Sequence, residues 1–272
     1  MIEVKDLTFY YPGTGKKVFS GLNLSLEGNA IYGLLGKNGM GKSTLLYLIS
    51  GLLRAKKGSI MVDGIAAIER KPEMLSNMYI MTEDFSLPSM KLSEYVKANS
   101  PFYPNFSQET LEFCLKEFEI EGDQNLQSMS MGQKKKVYMS FALATGTQYL
   151  IMDEPTNGLD IPSKAQFRKV MANGIDNDRT VIISTHQVHD VENLLDHVII
   201  LDHSEIMMNS SVSDICNKYV FEYRTPDNMS DVVFAEPSLQ GNAVMAPRGD
   251  KAESTLNLEL LFNAATQGKL KM

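Results

Sequence analysis

The chain has 272 residues, of which 43% are hydrophobic and 22% are charged, and its formal net charge at pH 7 is −7. This composition excludes a collagen-like or wholly disordered chain, and the length predicts one large domain with at most a modest appendage. The acidic balance argues against a protein whose main work is to bind nucleic-acid phosphates. The two cysteines, Cys114 and Cys216, lie far apart in the chain, which favours a reducing compartment over a disulfide. No apolar run reaches the ~18 residues that a membrane-spanning helix needs.

The first 64 residues combine two hydrophobic patterns, one alternating and one continuous. Short alternating stretches from Ile2 to Gly64, broken at glycines and prolines, predict a small antiparallel sheet. Within them, the wholly apolar run from Ala30 to Leu35 leads into a glycine-rich turn, and the apolar residues that follow recur at helical spacing. This run predicts a buried parallel strand that feeds a helix. The helical stripe consists of Leu45, Leu48, Ile49 and Leu52.

Further apolar strands are predicted along the chain, at Met78–Met81, Tyr149–Met152, Thr180–Ser184 and His197–Leu201. Helical patterns lie between most of them, and this alternation predicts an α/β fold with a mostly parallel sheet. Between residues 84 and 147 there is no good strand. One helix is predicted from Ser107 to near Gly122 and another through Phe141, so this interval is predicted to be a helical subdomain inserted between two strands.

The character of the sequence changes again after Asn209. Short segments at Tyr219–Arg224, Asp231–Ala235 and Ala243–Ala246 are followed by a predicted helix from Leu256 to Ala265. We therefore predict a main domain over residues 1–209 and a small α+β extension over residues 210–272.

The strongest local motif follows the strand that ends at Leu35. It satisfies G-x-x-x-x-G-K-[ST] and consists of Gly36, Lys37, Asn38, Gly39, Met40, Gly41, Lys42 and Ser43, with Thr44 next in the helix. In such a loop, backbone N–H groups converge on phosphate oxygens, the lysine neutralises the β and γ phosphates, and the hydroxyl of the last residue contacts Mg²⁺. The alternative is a plain glycine-rich turn, which the position between a strand and a helix disfavours. The motif predicts a P-loop nucleotide site.

Two carboxylates follow the apolar run from Tyr149 to Met152. Asp153 is placed at the carboxyl end of a buried strand, where open α/β sheets bind their ligands, and is predicted to hold Mg²⁺ with Ser43. Glu154 is placed where it can polarise the water that attacks the γ phosphate. Taken alone, an Asp-Glu pair after a strand is more often a helix cap or a solvated turn.

With these motifs in place, the chain resembles the nucleotide-binding subunit of an ATP-binding cassette (ABC) protein over residues 2–209. The hallmark of that family is a signature motif, L-S-G-G-Q, ahead of the Asp-Glu strand, and here Ser130, Gly132 and Gln133 match it while Met131 replaces a glycine. The resemblance implies that this motif contacts the γ phosphate held by an opposite subunit, so that a homodimer or pseudo-dimer encloses two ATP molecules. The following lysines, 134 to 136, are either part of that anion site or a solvated basic face.

The resemblance implies roles for four more residues. Tyr11 stacks on adenine, and His186 at the end of a strand senses the γ phosphate. Asp160, at the end of an Asn-Gly-Leu-Asp loop, faces the opposite site. Glu83 replaces the family's usual glutamine and is predicted to reach Mg²⁺, a substitution similar to that in drug and antibiotic exporters. Glu154, His186 and Lys42 are the predicted catalytic residues, with ATP and Mg²⁺ as cofactors.

The prediction that follows is an ATPase subunit that powers export through a separate integral-membrane permease, and that lies in the cytoplasm on the inner face of the membrane. Apolar residues after Glu83 are candidates for permease docking or for the core of the helical subdomain: Phe85, Leu87, Met90, Phe102, Tyr103 and Phe106. The alternative is a soluble ABC ATPase that acts on DNA or ribosomes, which the net charge and the absence of coiled-coil heptads disfavour. A small-molecule kinase is disfavoured by the signature motif. No nucleic-acid partner is expected.

Overall fold

The computed structural model describes residues 1–13, 15, 17–175, 178–239 and 241–270, so Lys271 and Met272 at the end of the predicted extension lie outside it. The strands are β1 (Ile2–Tyr10), β2 (Lys17–Leu26), β3 (Ile31–Leu35), β4 (Lys57–Val62), β5 (Ile65–Ala66), β6 (Met78–Met81), β7 (Tyr149–Asp153), β8 (Thr180–Thr185), β9 (His197–Asp202), β10 (Glu205–Ser211), β11 (Tyr219–Arg224), β12 (Phe234–Ser238) and β13 (Gly241–Pro247). The α-helices are α1 (Lys42–Ile49), α2 (Pro72–Ser76), α3 (Leu92–Asn99), α4 (Gln108–Glu117), α5 (Met131–Ala144), α6 (Ile161–Gly174), α7 (Val212–Lys218) and α8 (Leu258–Thr266). Over these ranges, no helix is both long and apolar enough to cross a membrane.

Three sheets make up the fold. An antiparallel sheet has the order β2-β1-β4-β5, and a six-stranded sheet has the order β10-β9-β3-β8-β7-β6. In the six-stranded sheet, all neighbours are parallel except β10 and β9. The third sheet, β11-β13-β12, is antiparallel. These sheets confirm the predicted α/β class, with a mostly parallel core sheet and an N-terminal antiparallel subdomain.

The central strands are buried on both faces, which explains their continuous apolar sequences. All residues of β7 and β8 are buried. The observed strands run one residue further than predicted, to Asp153, Thr185 and Asp202. Helix α1 ends at Ile49, and Gly51 then turns the chain at φ +71°, so Leu52 is not part of the buried helical stripe but is 49% exposed.

The interval between β6 and β7 is helical, as predicted. Helix α4 begins where Ser107 caps it, with the Ser107 hydroxyl accepting the Thr110 N–H at 3.0 Å. The helix ends at Glu117, five residues before the predicted end near Gly122. The reason is backbone geometry, because Glu119 adopts a left-handed φ of +57° that no α-helix can continue through.

The C-terminal residues form β11, β12, β13 and α8. Strand β12 begins at Phe234, three residues later than predicted, and α8 begins at Leu258 because the Asn257 side chain caps it by accepting the Leu260 N–H at 2.9 Å. The predicted division at residue 209 falls inside β10 (Glu205–Ser211), and buried residues of α8 share one core cluster with the main sheet. The division of the chain into two units stays a prediction.

Candidate active site

The phosphate loop connects β3 to α1 at the carboxyl edge of the parallel sheet. Two of its glycines are required by geometry. A Cβ on Gly36 would lie 2.6 Å from the Leu201 carbonyl oxygen, and Gly41 has a φ of +100° with the Phe19 ring 2.9 Å from where its Cβ would be. The loop thus presents backbone at the start of α1, where helix N–H groups and the helix dipole favour an anion.

Lys42, Glu154 and His186, the three predicted catalytic residues, meet in the structure. The Lys42 side chain is only 6% exposed, and its Nζ donates to the Gly36 carbonyl oxygen at 2.8 Å and lies 3.3 Å from Glu154 Oε1. The same carboxylate oxygen lies 2.9 Å from His186 Nδ1. One buried carboxylate therefore links the phosphate-loop lysine to the histidine of the neighbouring strand end.

Glu154 is held in a strained conformation. Its φ is +46°, in a left-handed region that costs a residue with a side chain about 1–2 kcal/mol. Its N–H donates to the Ser184 carbonyl oxygen at 3.0 Å, so the end of β8 fixes the turn. The strain aims a carboxylate towards the phosphate loop, which is a pattern found at functional sites.

Asp153, the predicted Mg²⁺ ligand, ends β7 with one of its two carboxylate oxygens unpaired in the described part of the chain. Its Oδ1 accepts a hydrogen bond from the Ser184 hydroxyl, whereas its buried Oδ2 has no hydrogen-bond partner among the described residues. Burial raises the pKa of the Asp153 carboxyl, and hydrogen bonding by the hydroxyls of Ser184 and Ser43 opposes that rise. An unpartnered carboxylate oxygen beside Ser43 fits Mg²⁺, which takes one or two protein ligands and completes its shell with phosphate and water. Within the described ranges, no group of three or more acidic, histidine or cysteine side chains is arranged so that it could hold a metal ion by itself.

The predicted adenine side of the site lies next to the phosphate loop. The Tyr11 hydroxyl is 3.0 Å from the Thr44 hydroxyl, and the Tyr11 ring packs edge-on against Phe9. A cavity of about 320 Å³ opens here between Tyr11, Gly39 and Met40. Tyr11 is thus placed over the start of α1, and adenine stacking on it stays a prediction.

The signature motif forms the start of α5. The Ser130 hydroxyl accepts the Gln133 N–H, and Gln133 Oε1 accepts the Ser130 N–H in return at 3.0 Å, which makes a capping box. Met131, in place of the family's glycine, is 65% exposed and points away from the core. The cavity that Met131 and Gly132 line contains no phosphate-loop residue, so within one chain the two motifs are separate surfaces.

Glu83 and Asp160 make local contacts. Glu83 Oε1 accepts from Asn157 Nδ2 at 2.6 Å, which ties the end of the β6 segment to the loop after β7. The Asp160 carboxylate caps α6 by accepting the Ser163 N–H at 2.9 Å, and hydrogen bonds from Ser163 lower the Asp160 pKa. A contact of Glu83 with Mg²⁺, or of Asp160 with nucleotide, stays a prediction.

Lys135 makes buried contacts next to the site that the sequence did not predict. It is buried, and its Nζ donates to the carbonyl oxygens of Glu154 at 2.9 Å and Asn157 at 2.7 Å. Burial lowers the pKa of its ammonium, while the carboxylates of Glu83 and Glu154 act in the opposite direction. Lys135 is therefore not part of a solvated basic face, because it joins the signature helix to the loop that begins at Glu154.

Replacing Lys135 with methionine is expected to lower the rate of ATP hydrolysis about tenfold and to destabilise the fold by about 1–3 kcal/mol, because two buried carbonyls lose their donor. The measurements are phosphate release and urea unfolding. The neighbouring Lys134→Met, which the structure leaves partly exposed, is the matched control. Equal, wild-type behaviour of both variants would contradict the role assigned to Lys135.

Together, the phosphate loop, the Oδ2 of Asp153 that no described group hydrogen-bonds, and the contacts of Glu154 with Lys42 and His186 are the features of a P-loop nucleoside triphosphatase. A sequence profile of the ABC transporter family matches residues 19–157, about half of the chain. The ABC transporter ATP-binding protein YtrB of Bacillus subtilis is 25% identical over 222 residues, which are 81% of this chain and 75% of YtrB. The cobalt import ATP-binding protein CbiO of Salmonella typhi is 30% identical over 228 residues, 79% of this chain and 82% of CbiO.

A solved structure of the ATP-binding subunit of an ABC transporter superposes with a TM-score of 0.69 at 25% identity, covering 79% of this chain and 91% of that one. The chain belongs to the ABC transporter family and is an ATP-binding subunit and ATPase of that family. The phosphate loop, the signature motif and the Asp-Glu pair therefore occur in the α/β fold of that family.

Proposed function

We propose that the chain binds ATP with Mg²⁺ and hydrolyses it to drive a membrane-spanning transport partner. The contact that carries the proposal is the buried Glu154 carboxylate between Lys42 and His186. The phosphate loop and Lys42 bind the β and γ phosphates, while Ser43 and Asp153 hold Mg²⁺, which neutralises phosphate charge when bound.

In the hydrolytic step, Glu154 accepts a proton from the attacking water. The water oxygen bonds to the γ phosphorus as the bond from that phosphorus to the β-bridging oxygen breaks, and ADP leaves with the electron pair. Lys42 stabilises the charge that develops on ADP and phosphate. His186, whose Nδ1 lies 2.9 Å from Glu154 Oε1, orients the carboxylate, and its proposed second role is to contact the γ phosphate.

We infer that two copies assemble head to tail around two nucleotides. The supporting observation is that the cavity lined by Met131 and Gly132, directly after Ser130, has no phosphate-loop residue of its own chain in its wall. Ser130 is exposed at the N-terminus of a 14-residue helix, whose dipole favours a phosphate supplied by a second copy.

The surface that fits the transport partner is a groove between the main sheet and the helical insertion. It is a cavity of about 820 Å³, with the apolar side chains of Leu52 and Phe102 on its wall, and Phe102 is 69% exposed. Tyr103 also lines it. Exposed aromatic side chains at a groove of this kind are typical of helix-in-groove binding.

The other predicted docking residues serve the core. Phe85 packs on Tyr138 with ring centroids 4.7 Å apart, and Phe106 packs on Phe141 at 5.5 Å. Leu87 and Met90 pack against the main hydrophobic cluster. Of the six candidates, only Phe102 and Tyr103 line the groove.

Replacing Phe102 with glutamate is expected to abolish co-purification of a multispanning membrane protein, since a charge cannot enter an apolar interface without a large desolvation cost. ATP hydrolysis by the isolated chain is expected to stay within about twofold of wild type, because surface changes away from the site are usually neutral. Leu239→Glu, at a still more exposed hydrophobic residue that directly follows β12, is the control. A Phe102→Glu chain that still brings down the membrane protein would rule out this groove.

For the direction of transport, we propose export, with the chain bound to the cytoplasmic face through its partner. Glu83 supports export, whereas CbiO is named for cobalt import. Transport by the purified complex in vesicles decides the matter: export predicts accumulation in inside-out vesicles supplied with external ATP, and loss of substrate from those vesicles would show import. The relatives reported above are named for transport, so action on DNA or ribosomes finds no support in them.

A further inference from the structure

The C-terminal helix α8 lies against the segment that follows His186. The Glu192 carboxylate accepts the Leu258 N–H at 2.6 Å and so caps the start of α8. One residue along the helix, Glu259 Oε2 lies 2.9 Å from His189 Nε2. Both contacts reach α8 from within six residues of His186.

The same helix reaches the phosphate loop. The Phe262 side chain lines a cavity of about 230 Å³, together with residues 36–38 of the phosphate loop and with Thr185, His186 and Val188. Phe262 and His186 therefore border the same small space next to the phosphate loop. It lies outside residues 19–157, the part that matches the family profile.

The histidine segment is held from its opposite side as well. Lys164 of α6 donates to Gln187 Oε1 at 2.7 Å and pairs with Asp190 at 2.8 Å. Helix α8 is itself fixed to the main core, because Leu258 and Leu261 are fully buried in it. The segment after His186 therefore makes side-chain contacts with α6 on one side and with α8 on the other.

We propose that α8 is part of the catalytic unit and that Phe262 and Glu259 position His186 for ATP hydrolysis. The proposal rests on the proposed function. Phe262 limits how far the imidazole can move from Glu154, and Glu259 fixes the backbone turn that carries it. Because Glu259 and His189 are both largely exposed, their contact contributes little to the stability of the fold.

The central experiment measures steady-state ATP hydrolysis by full-length Phe262→Ala. The turnover number is expected to fall about tenfold, since small displacements of a catalytic group cost up to ~10²-fold, while KM for ATP stays within about twofold. Phe262→Leu, which refills much of the cavity wall, is expected to recover at least about half of the wild-type rate. Tyr223→Ala, an aromatic truncation on the exposed C-terminal sheet, is the control and is expected to be neutral.

A double-mutant cycle separates positioning from general damage. If Phe262 acts through His186, then Phe262→Ala introduced into a His186→Ala chain causes no further loss of rate. The same tenfold loss in both backgrounds would overturn the proposal, as would a wild-type turnover number for Phe262→Ala.

A second variant guards against a folding defect in Phe262→Ala. Glu259→Gln keeps the shape of an exposed side chain and is expected to lower the turnover number about threefold with an unchanged melting temperature, and Glu253→Gln is its exposed control. Two results together would show that α8 has only a structural role. They are a wild-type turnover number for Glu259→Gln, and a tenfold loss on introducing Phe262→Ala both into the wild type and into the His186→Ala chain. A wild-type chain without ATPase activity would refute the proposed function and this inference together, whereas an active wild type with active variants refutes the inference alone.

Discussion

A Glu154→Gln chain is expected to hydrolyse ATP about 10²-fold or more slowly than wild type while it still binds Mg²⁺-ATP. Glutamine has the size of glutamate and can occupy the same strained position between Lys42 and His186. It cannot accept the proton of the attacking water, so binding is kept and the chemical step is lost. Phosphate release measures the rate, and calorimetric titration with Mg²⁺-ATP measures binding.

The control for this variant is Glu73→Gln, an exposed glutamate in α2, which is expected to be neutral. A Glu154→Gln chain with wild-type turnover would remove the general-base role from Glu154. A chain that no longer binds ATP would show instead that the carboxylate is needed to shape the site.

The second large effect is expected from Lys42→Ala, which should abolish measurable ATP binding. The ammonium of Lys42 is the buried positive charge at the start of α1, and removing one partner of a buried ion pair costs about 3–5 kcal/mol, or roughly 10²–10⁴-fold in an equilibrium constant. The same argument predicts a lower melting temperature without nucleotide, because Glu154 loses its buried cation.

The double variant Lys42→Met/Glu154→Gln separates the two consequences. Neutralising both partners is expected to restore most of the stability but none of the nucleotide affinity, as measured by thermal unfolding with and without Mg²⁺-ATP. Lys97→Ala, an exposed lysine on α3, is the control. Retained ATP affinity in Lys42→Ala would contradict the phosphate-binding role of Lys42.

The order of the strands and helices could be predicted because two kinds of signal agree: the apolar runs, and the glycine, proline and capping residues that bound those runs. The stretch from β3 to α1 combines a buried strand, a glycine-rich loop and a helical stripe. Strand ends were predicted one residue short because polar residues such as Asp153 and Thr185 break an apolar run while still pairing with a neighbouring strand. The end of α4 was missed since Glu119 carries no signal of a left-handed conformation.

The proximity of Lys42, Glu154 and His186 was predictable because each residue lies shortly after the carboxyl end of a parallel strand. The carboxyl ends of parallel strands lie along the same edge of the sheet. Lys135 and Phe262 were not predictable in the same way. A lysine in a run of three has the pattern of a solvated charge, and its acceptors are backbone carbonyls 19 and 22 residues away. Phe262 comes from a helix that only the tertiary fold brings to the phosphate loop.

In the proposed mechanism, each nucleotide is held between the phosphate loop of one copy and Ser130 of another, and sedimentation of Glu154→Gln in Mg²⁺-ATP tests this most directly. We expect a particle of about twice the 30.3 kDa chain mass that carries two ATP molecules, and we expect a Ser130→Arg/Glu154→Gln chain to stay at the mass of one copy. A Glu154→Gln chain that holds ATP yet sediments as one copy, in the absence of any membrane partner, would contradict this mechanism.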